Sequence, residues 1–183
     1  MKTLAIFRHA KSDWNDARLR DFDRPLNTRG RKGAEKMGAY IRGQNWRFDR
    51  VLASPAVRVT QTIEISAQAA GGTPPVIWDR RLYLASSDVL QDILRGQEGD
   101  PGSIILVGHN PGLEDLILDL VPDDGTCPLR DVVEEKFPTA AFAIVELDID
   151  SWSDIREECG RLTHLTRPRD LDPDLGPQLR DEF

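Results

Sequence analysis

Two histidines and two arginines in this 183-residue chain fall just after short apolar runs. Arg8 and His9 follow residues 4–7, Arg58 follows 51–53 within SPAVR, and His109 follows 104–107 within GHNPG. Guanidinium forks match the oxygens of a phosphoryl group, and a helix N-terminus adds further donors for an anion. A neutral imidazole nitrogen can attack phosphorus and carry the group as phosphohistidine until water removes it. Positioned arginines stabilise the charge spread over the equatorial oxygens during transfer, an effect worth about 10³–10⁵ in rate by analogy with arginine fingers. Each piece alone has an ordinary reading. An Arg-His pair after a strand is commonly a surface pair, and GHNPG is a strand-to-helix turn with Asn110 as cap and Pro111 opening the helix. Together they predict one phosphate-handling pocket, with His9 held still by a buried strand.

The elements that must bring these residues together are legible in the spacing. Apolar runs at 4–7 and 104–107 have the pattern of strands buried on both faces, and further strands are predicted at 51–53, near 76–78, at 140–147 and, more weakly, at 161–165. Ala34, Met37 and Ile41 repeat at helical spacing behind Thr28 as cap. Val57, Thr60, Ile63, Ala67 and Ala70 do so behind Ser54-Pro55, Leu113, Leu116, Ile117, Leu120 and Val121 behind Asn110-Pro111, and another helix is expected near Leu90. Strands alternating with helices predict a three-layer α/β sandwich, a mainly parallel central sheet with helices on both faces. In such sheets ligands bind beyond the carboxyl ends of the strands, where these four residues fall.

Composition bounds the rest. Hydrophobic residues at 39% and charged residues at 30% suit one globular domain. A net charge of −7 gives no support for nucleic-acid binding. Locally the balance reverses: residues 18–50 hold ten Lys or Arg against four acids, a basic face for an acidic partner or simply a solvated helix surface. No run approaches the roughly 20 apolar residues needed to cross a membrane, and the start of the chain lacks the features of a signal peptide. Cys127 and Cys159 are far apart without CxxC spacing, which predicts reduced thiols and a cytoplasmic protein. His9, His109 and His164 form no HxH or HExxH pairing, so neither metal nor cofactor is expected. Residues 121–128 are expected as an exposed excursion. Residues 1–165 are expected as the domain and 166–183, rich in proline and charge, as an arm loosely packed or disordered.

RHAKSDWN at 8–15 resembles the RHG signature of the histidine phosphatase superfamily, whose fold is phosphoglycerate-mutase-like. Ala10 stands where glycine is usual, and Ser12 and Asn15 match the longer RHGxSxxN form. SPAVRVTQT resembles the family's SPxxRxxQT, and VGHNPG its second-histidine block. RPLNTRG at 24–30, KFPTAAFAIVELD at 136–148 and the late TRPRDL are most similar to the short SixA-type phosphohistidine phosphatases.

The resemblance implies His9 as nucleophile, Arg8, Arg58 and His109 as a phosphate clamp, and Ser12, Asn15 and Asn110 as further contacts to substrate. Larger members take a proton donor from an insertion between the Arg58 and His109 regions, but the 50 residues between them here are filled by the predicted elements. Asp21, three residues before Arg24, is the acid that the short type implies; a solvated carboxylate offsetting Arg20 and Arg24 is the alternative. A phosphoryl group on imidazole nitrogen leaves more readily than one on an alkoxide, so a weak acid would suffice. The implied activity is metal-independent hydrolysis of phosphohistidine in a phosphotransfer protein. A phosphatase for small phosphate esters and a noncatalytic phosphate-binding module are the alternatives. The Ala10 departure is harmless if the backbone there avoids positive φ.

Overall fold

The computed structural model describes residues 1–177. Its six strands are β1 (Lys2–Arg8), β2 (Arg50–Ala53), β3 (Val76–Trp78), β4 (Ser103–Gly108), β5 (Phe142–Leu147) and β6 (Gly160–Thr166). They form one sheet in the order β3-β2-β4-β1-β5-β6. The first four in that order are mutually parallel, and β5 runs antiparallel to both β1 and β6. The helices are α1 (Thr28–Gly43), α2 (Val57–Ala70), α3 (Ser87–Arg95), α4 (Gly112–Leu120), α5 (Pro128–Glu135) and α6 (Pro168–Leu171).

Alternation along β1 explains the layers. Leu4 and Ile6 share one core with α3, α4 and α5, whereas Ala5 and Phe7 share the other with α1 and α2. With both faces covered, a continuous apolar run is the stable sequence for this strand, each large side chain contributing about 1.5–3 kcal/mol on burial. The chain leaves β1 toward the α1 and α2 face and leaves the adjacent β4 toward the α4 and α5 face. The loops after these two strands therefore part, and a crevice opens at their carboxyl ends. Registration of Arg8 with Gly108 sets His9 and His109 side by side at its floor.

The structure corrects several local expectations. Asn27, not Thr28, caps α1, its side chain accepting from Gly30 N at 2.7 Å. Helix α4 starts at Gly112, so Asn110 is not its cap and Pro111 is not its first residue. A side chain at position 112 would meet the Ala85 carbonyl, which is why glycine follows Pro111. The excursion after α4 leads into α5, a helix with Pro128 in its first turn that periodicity did not signal. Ala140 and Ala141 precede β5 rather than belonging to it. The chain beyond His164 continues β6 to Thr166 and then forms α6, with Pro168 buried and Asp172 bonded to Lys32 at 2.8 Å. The expected arm is thus packed on α1 as far as 177, and its remainder, 178–183, lies outside the described residues. Nor does segment 18–50 present all its cations freely: Arg18, Arg20 and Arg24 pair with Asp16, Asp23 and Asp21.

Candidate active site

A cleft of about 510 Å³ lies at the carboxyl ends of β1 and β4, lined by Arg8, His9, Arg58 and His109 among others. His9 begins the turn after β1. Its N–H donates to the Gly108 carbonyl at 3.1 Å, and Ala140 N bridges the carbonyls of Arg8 and His9 at 3.1 and 3.0 Å. Ala140 holds φ at +59°, a left-handed conformation disfavoured for a side-chain-bearing residue, retained here where the backbone must close over the nucleophile loop. Ala10 is not among the residues at positive φ and is fully buried, so alanine replaces the usual glycine without backbone strain.

Hydrogen bonds fix both imidazole tautomers. Ala10's carbonyl can only accept, so His9 Nδ1 carries the proton that it donates at 2.7 Å, leaving a lone pair on Nε2. Arg58 Nε faces that lone pair at 3.3 Å. In His109 the assignment is reversed: Arg58 Nη2 donates to Nδ1 at 3.3 Å, and Nε2 donates to Ser54 Oγ at 2.8 Å. The ring centroids are 5.2 Å apart. Burial, then the charges of Arg58, Arg8 and Arg24, push His9 down to about 3 against the pull of the Ala10 carbonyl. Burial, with His9 and Arg58 beside it, pushes His109 down to about 3 as well. Both rings are therefore neutral at neutral pH, the state a nitrogen nucleophile requires.

Arg58 is the hub. Almost wholly buried, it reaches His9 and His109 and also donates to the Asp21 carbonyl at 2.6 Å and to Asp21 Oδ2 at 3.0 Å. Arg8 donates from Nη1 to the Phe137 carbonyl at 2.9 Å. Among the described residues, the two buried side-chain polar atoms without a partner are Arg8 Nε and Asn110 Oδ1, both on residues lining this cleft. Among the buried side chains of the described residues, hydrogen bonding is left open at this one place.

Asp21 is at the site but is not poised to give up a proton. Burial alone would raise its pKa. That effect is outweighed by hydrogen bonds from Tyr83 (2.5 Å) and Arg24 (2.5 Å) and by the charge and hydrogen bond of Arg58, which hold the carboxyl well below the usual carboxylate range. Asp21, expected as the general acid, is thus found as a carboxylate accepting from three side chains, an arrangement that anchors two arginines and favours its ionised form.

Ser12 accepts from Arg24 Nη1 at 2.8 Å and lines the cleft. Asn15 is exposed and is not among the lining residues, so the structure does not bring it to the phosphate pocket. Asn110 lines the cleft, but its amide donates to Glu114 Oε2 and to the Phe137 carbonyl, making it a brace between α4 and the loop before β5. Asp79 and Arg81, just beyond β3, pair with each other outside the cleft.

The sequence reading missed four contributors. Thr62 accepts from Ala10 N at 2.9 Å and donates to the Arg58 carbonyl at 2.6 Å; its signal was the helical i+4 spacing from Arg58. Ser54 lay in the same motif. Arg24, buried, stacks 3.4 Å from the Trp14 ring centroid and ties Ser12 to Asp21. Tyr83 lies outside every motif, and no sequence signal marked it.

Residues 4–83 match the family model described as Histidine phosphatase superfamily (branch 1). An uncharacterized protein of Mycobacterium tuberculosis (strain ATCC 25618 / H37Rv) is 31% identical over 163 residues, covering 88% of this chain and 99% of that one. Among solved structures, a protein from Agrobacterium tumefaciens assigned the name phosphohistidine phosphatase SixA superposes with a TM-score of 0.76 at 28% identity, over 91% of this chain and 98% of its own. Another bearing that name, from Nakamurella multipartitia, gives 0.79 at 25% identity over 91% and 96%. Among the described residues, no three His, Cys, Asp or Glu side chains are grouped to hold a metal ion, and no helix is long and apolar enough to cross a membrane.

Proposed function

Because the chain belongs to the histidine phosphatase superfamily, as one of its short SixA-type members, we propose that this phosphatase removes phosphoryl groups from phosphohistidine in a phosphotransfer protein. His9 Nε2 attacks phosphorus while the bond from phosphorus to the substrate's ring nitrogen breaks. Arg8 and Arg58 supply positive charge to the transferring oxygens, and His109 adds a hydrogen-bond donor where negative charge accumulates once its Nε2–H exchanges Ser54 Oγ for a phosphoryl oxygen. Water then attacks phosphorus, the bond to His9 Nε2 breaks, and inorganic phosphate leaves. The arginines provide the charge stabilisation that a metal would otherwise bring, so no metal enters this reading. Both cysteines are free thiols, which fits a cytoplasmic working place.

The observation that carries the choice of substrate is the ionised Asp21. An alkoxide leaving from a phosphate ester needs a proton in the transition state, and the one carboxylate among the cleft-lining residues accepts from Tyr83, Arg24 and Arg58, contacts that favour its ionised form. A phosphoimidazole whose other nitrogen is already protonated departs as neutral imidazole and requires no donor. Values of kcat/KM for a phosphohistidine peptide, an aryl phosphate and a panel of sugar phosphates test this. The expected order is phosphohistidine first, aryl ester second and sugar phosphates last; faster turnover of the sugar phosphates would overturn it.

A further inference from the structure

The cleft extends beyond the four residues that handle phosphate. Lys11, Arg29, Lys136, Arg167 and Arg169 line its continuation, which is walled by the start of α1 and by α6 with the segment after it. Asp21 is the single acidic residue among the lining side chains, and it is already engaged by Arg24 and Arg58. Arg167 pairs with Asp170, and Arg29 donates to the Gly176 carbonyl. Lys11, Lys136 and Arg169 have no hydrogen bond or ion pair from their side chains among the described residues. Several surface cations elsewhere are neutralised locally, as in Arg81 with Asp79, Arg95 with Asp92 and Arg161 with Glu146, and those without such a partner among the described residues, such as Arg31, Arg47 and Arg80, lie outside the cleft. Crowding unneutralised cations into a concave surface is unfavourable to the fold and concentrates positive potential there.

Two large apolar side chains accompany them. Trp14 is 73% exposed and Leu84 55% exposed, and both line the same cleft. Leu84 is held at φ +50°, a conformation costly for a leucine, in the loop just before α3. Exposed aromatic and aliphatic groups beside a charged cleft suit a protein surface better than a small metabolite, because each offers apolar area that only a macromolecule can cover.

Resting on the phosphohistidine reading above, we infer that the cleft beyond the catalytic pocket recognises carboxylate side chains flanking the phosphorylated residue of the partner protein, through Lys11, Lys136 and Arg169. The site thus selects an acidic protein surface. A second phosphate on a small molecule offers the same anionic chemistry and is the competing source.

The test compares the wild-type protein with a K11Q/K136Q/R169Q variant on two phosphohistidine peptides of equal length, one with Asp and Glu around the modified residue and one with Ser and Gln. Wild type is expected to favour the acidic peptide by about tenfold in kcat/KM at low salt, through KM. Raising the salt or using the variant should erase that preference and leave turnover of the neutral peptide unchanged. Equal use of both peptides by wild type, or a preference that survives in the variant, overturns the inference. A larger loss in the variant for a small bisphosphate than for the acidic peptide overturns it in favour of the small-molecule source. Fluorescence anisotropy of the unphosphorylated acidic peptide reads the same site without chemistry. If no peptide is hydrolysed but the acidic one binds wild type about tenfold more tightly than the variant, the docking surface stands and the phosphohistidine reading falls. If it binds both equally, the docking surface falls too.

Discussion

The tips of β1 and β4 each present one buried, neutral histidine, yet they hold it in different ways. At β1 the main chain does the holding: His9 Nδ1 is tied to the Ala10 carbonyl, and the loop is pinned through Gly108, Ala140 and Thr62. At β4 the ring of His109 is held by side chains, Ser54 on one nitrogen and Arg58 on the other. The main-chain anchor fixes Nδ1 as the protonated nitrogen and leaves Nε2 with the lone pair, whereas the side-chain anchor leaves His109 with its proton on Nε2. The main-chain anchor suits the ring that must keep one nitrogen toward phosphorus, and the side-chain anchor suits the ring that accompanies the phosphoryl oxygens.

Variants of the two histidines should separate those roles. His9→Ala removes the nucleophile and is expected to lower kcat by at least about 10⁴-fold while leaving the far-UV circular dichroism spectrum in place. Residual turnover near wild type would place the attacking group elsewhere. His109→Gln keeps a polar group at the second position and should cost about 10²–10³ in kcat, in the range seen when one transition-state donor is lost. A loss as large as that of His9→Ala would mean that the two rings are not specialised.

Shared burial gives both histidines a common signature in stability. Each stays neutral in the folded protein down to about pH 3, whereas in the unfolded chain it takes up a proton below its ordinary value near 6.5. The unfolded state therefore binds more protons across this window. Stability contributed by the neutral rings is complete above pH 6.5 and is lost as pH falls toward 3, at up to about 1.4 kcal/mol per unit for each ring. Denaturant unfolding at pH 7, 6 and 5 should show this slope, with a shallower one in a His9→Gln/His109→Gln protein. An unchanged slope in that variant would show that the rings titrate normally.

The smallest effect expected is that of Asp21→Asn. As an anchor, Asn still accepts from Tyr83 or an arginine, and phosphohistidine turnover should fall by less than about tenfold. A proton donor would behave differently, with losses of about 10²-fold or more, steepest for the leaving groups of highest pKa.

How much of this was legible beforehand depends on the range of the interactions involved. The buried strands β1 and β4 declare themselves because burial on both faces demands uninterrupted apolar residues, and with them come Arg8, His9 and His109. Helix α4 also followed from periodicity, but its start did not: Asn110 is drawn away to Glu114 and Phe137, partners supplied by the fold. The same applies to Asp21. Its position near the site followed from the resemblance to the short type, which implies a carboxylate before Arg24, whereas its ionisation depends on Tyr83, 62 residues away, and on Arg58. Helix α5 is short and buries Val133 alone, too little repetition for a periodic signal. Local pattern thus marked Arg8, His9, Arg58 and His109 as residues that gather, while it included Asn15 and passed over Tyr83, and long-range contacts fixed what each can do.

Rapid quench of the enzyme during turnover of a phosphohistidine peptide, followed by mass spectrometry and ³¹P NMR of the phosphorylated protein, tests the central claim most directly. The phosphoryl group is expected on His9, attached through Nε2. Attachment through Nδ1, which the Ala10 carbonyl occupies, or on His109 would contradict the account.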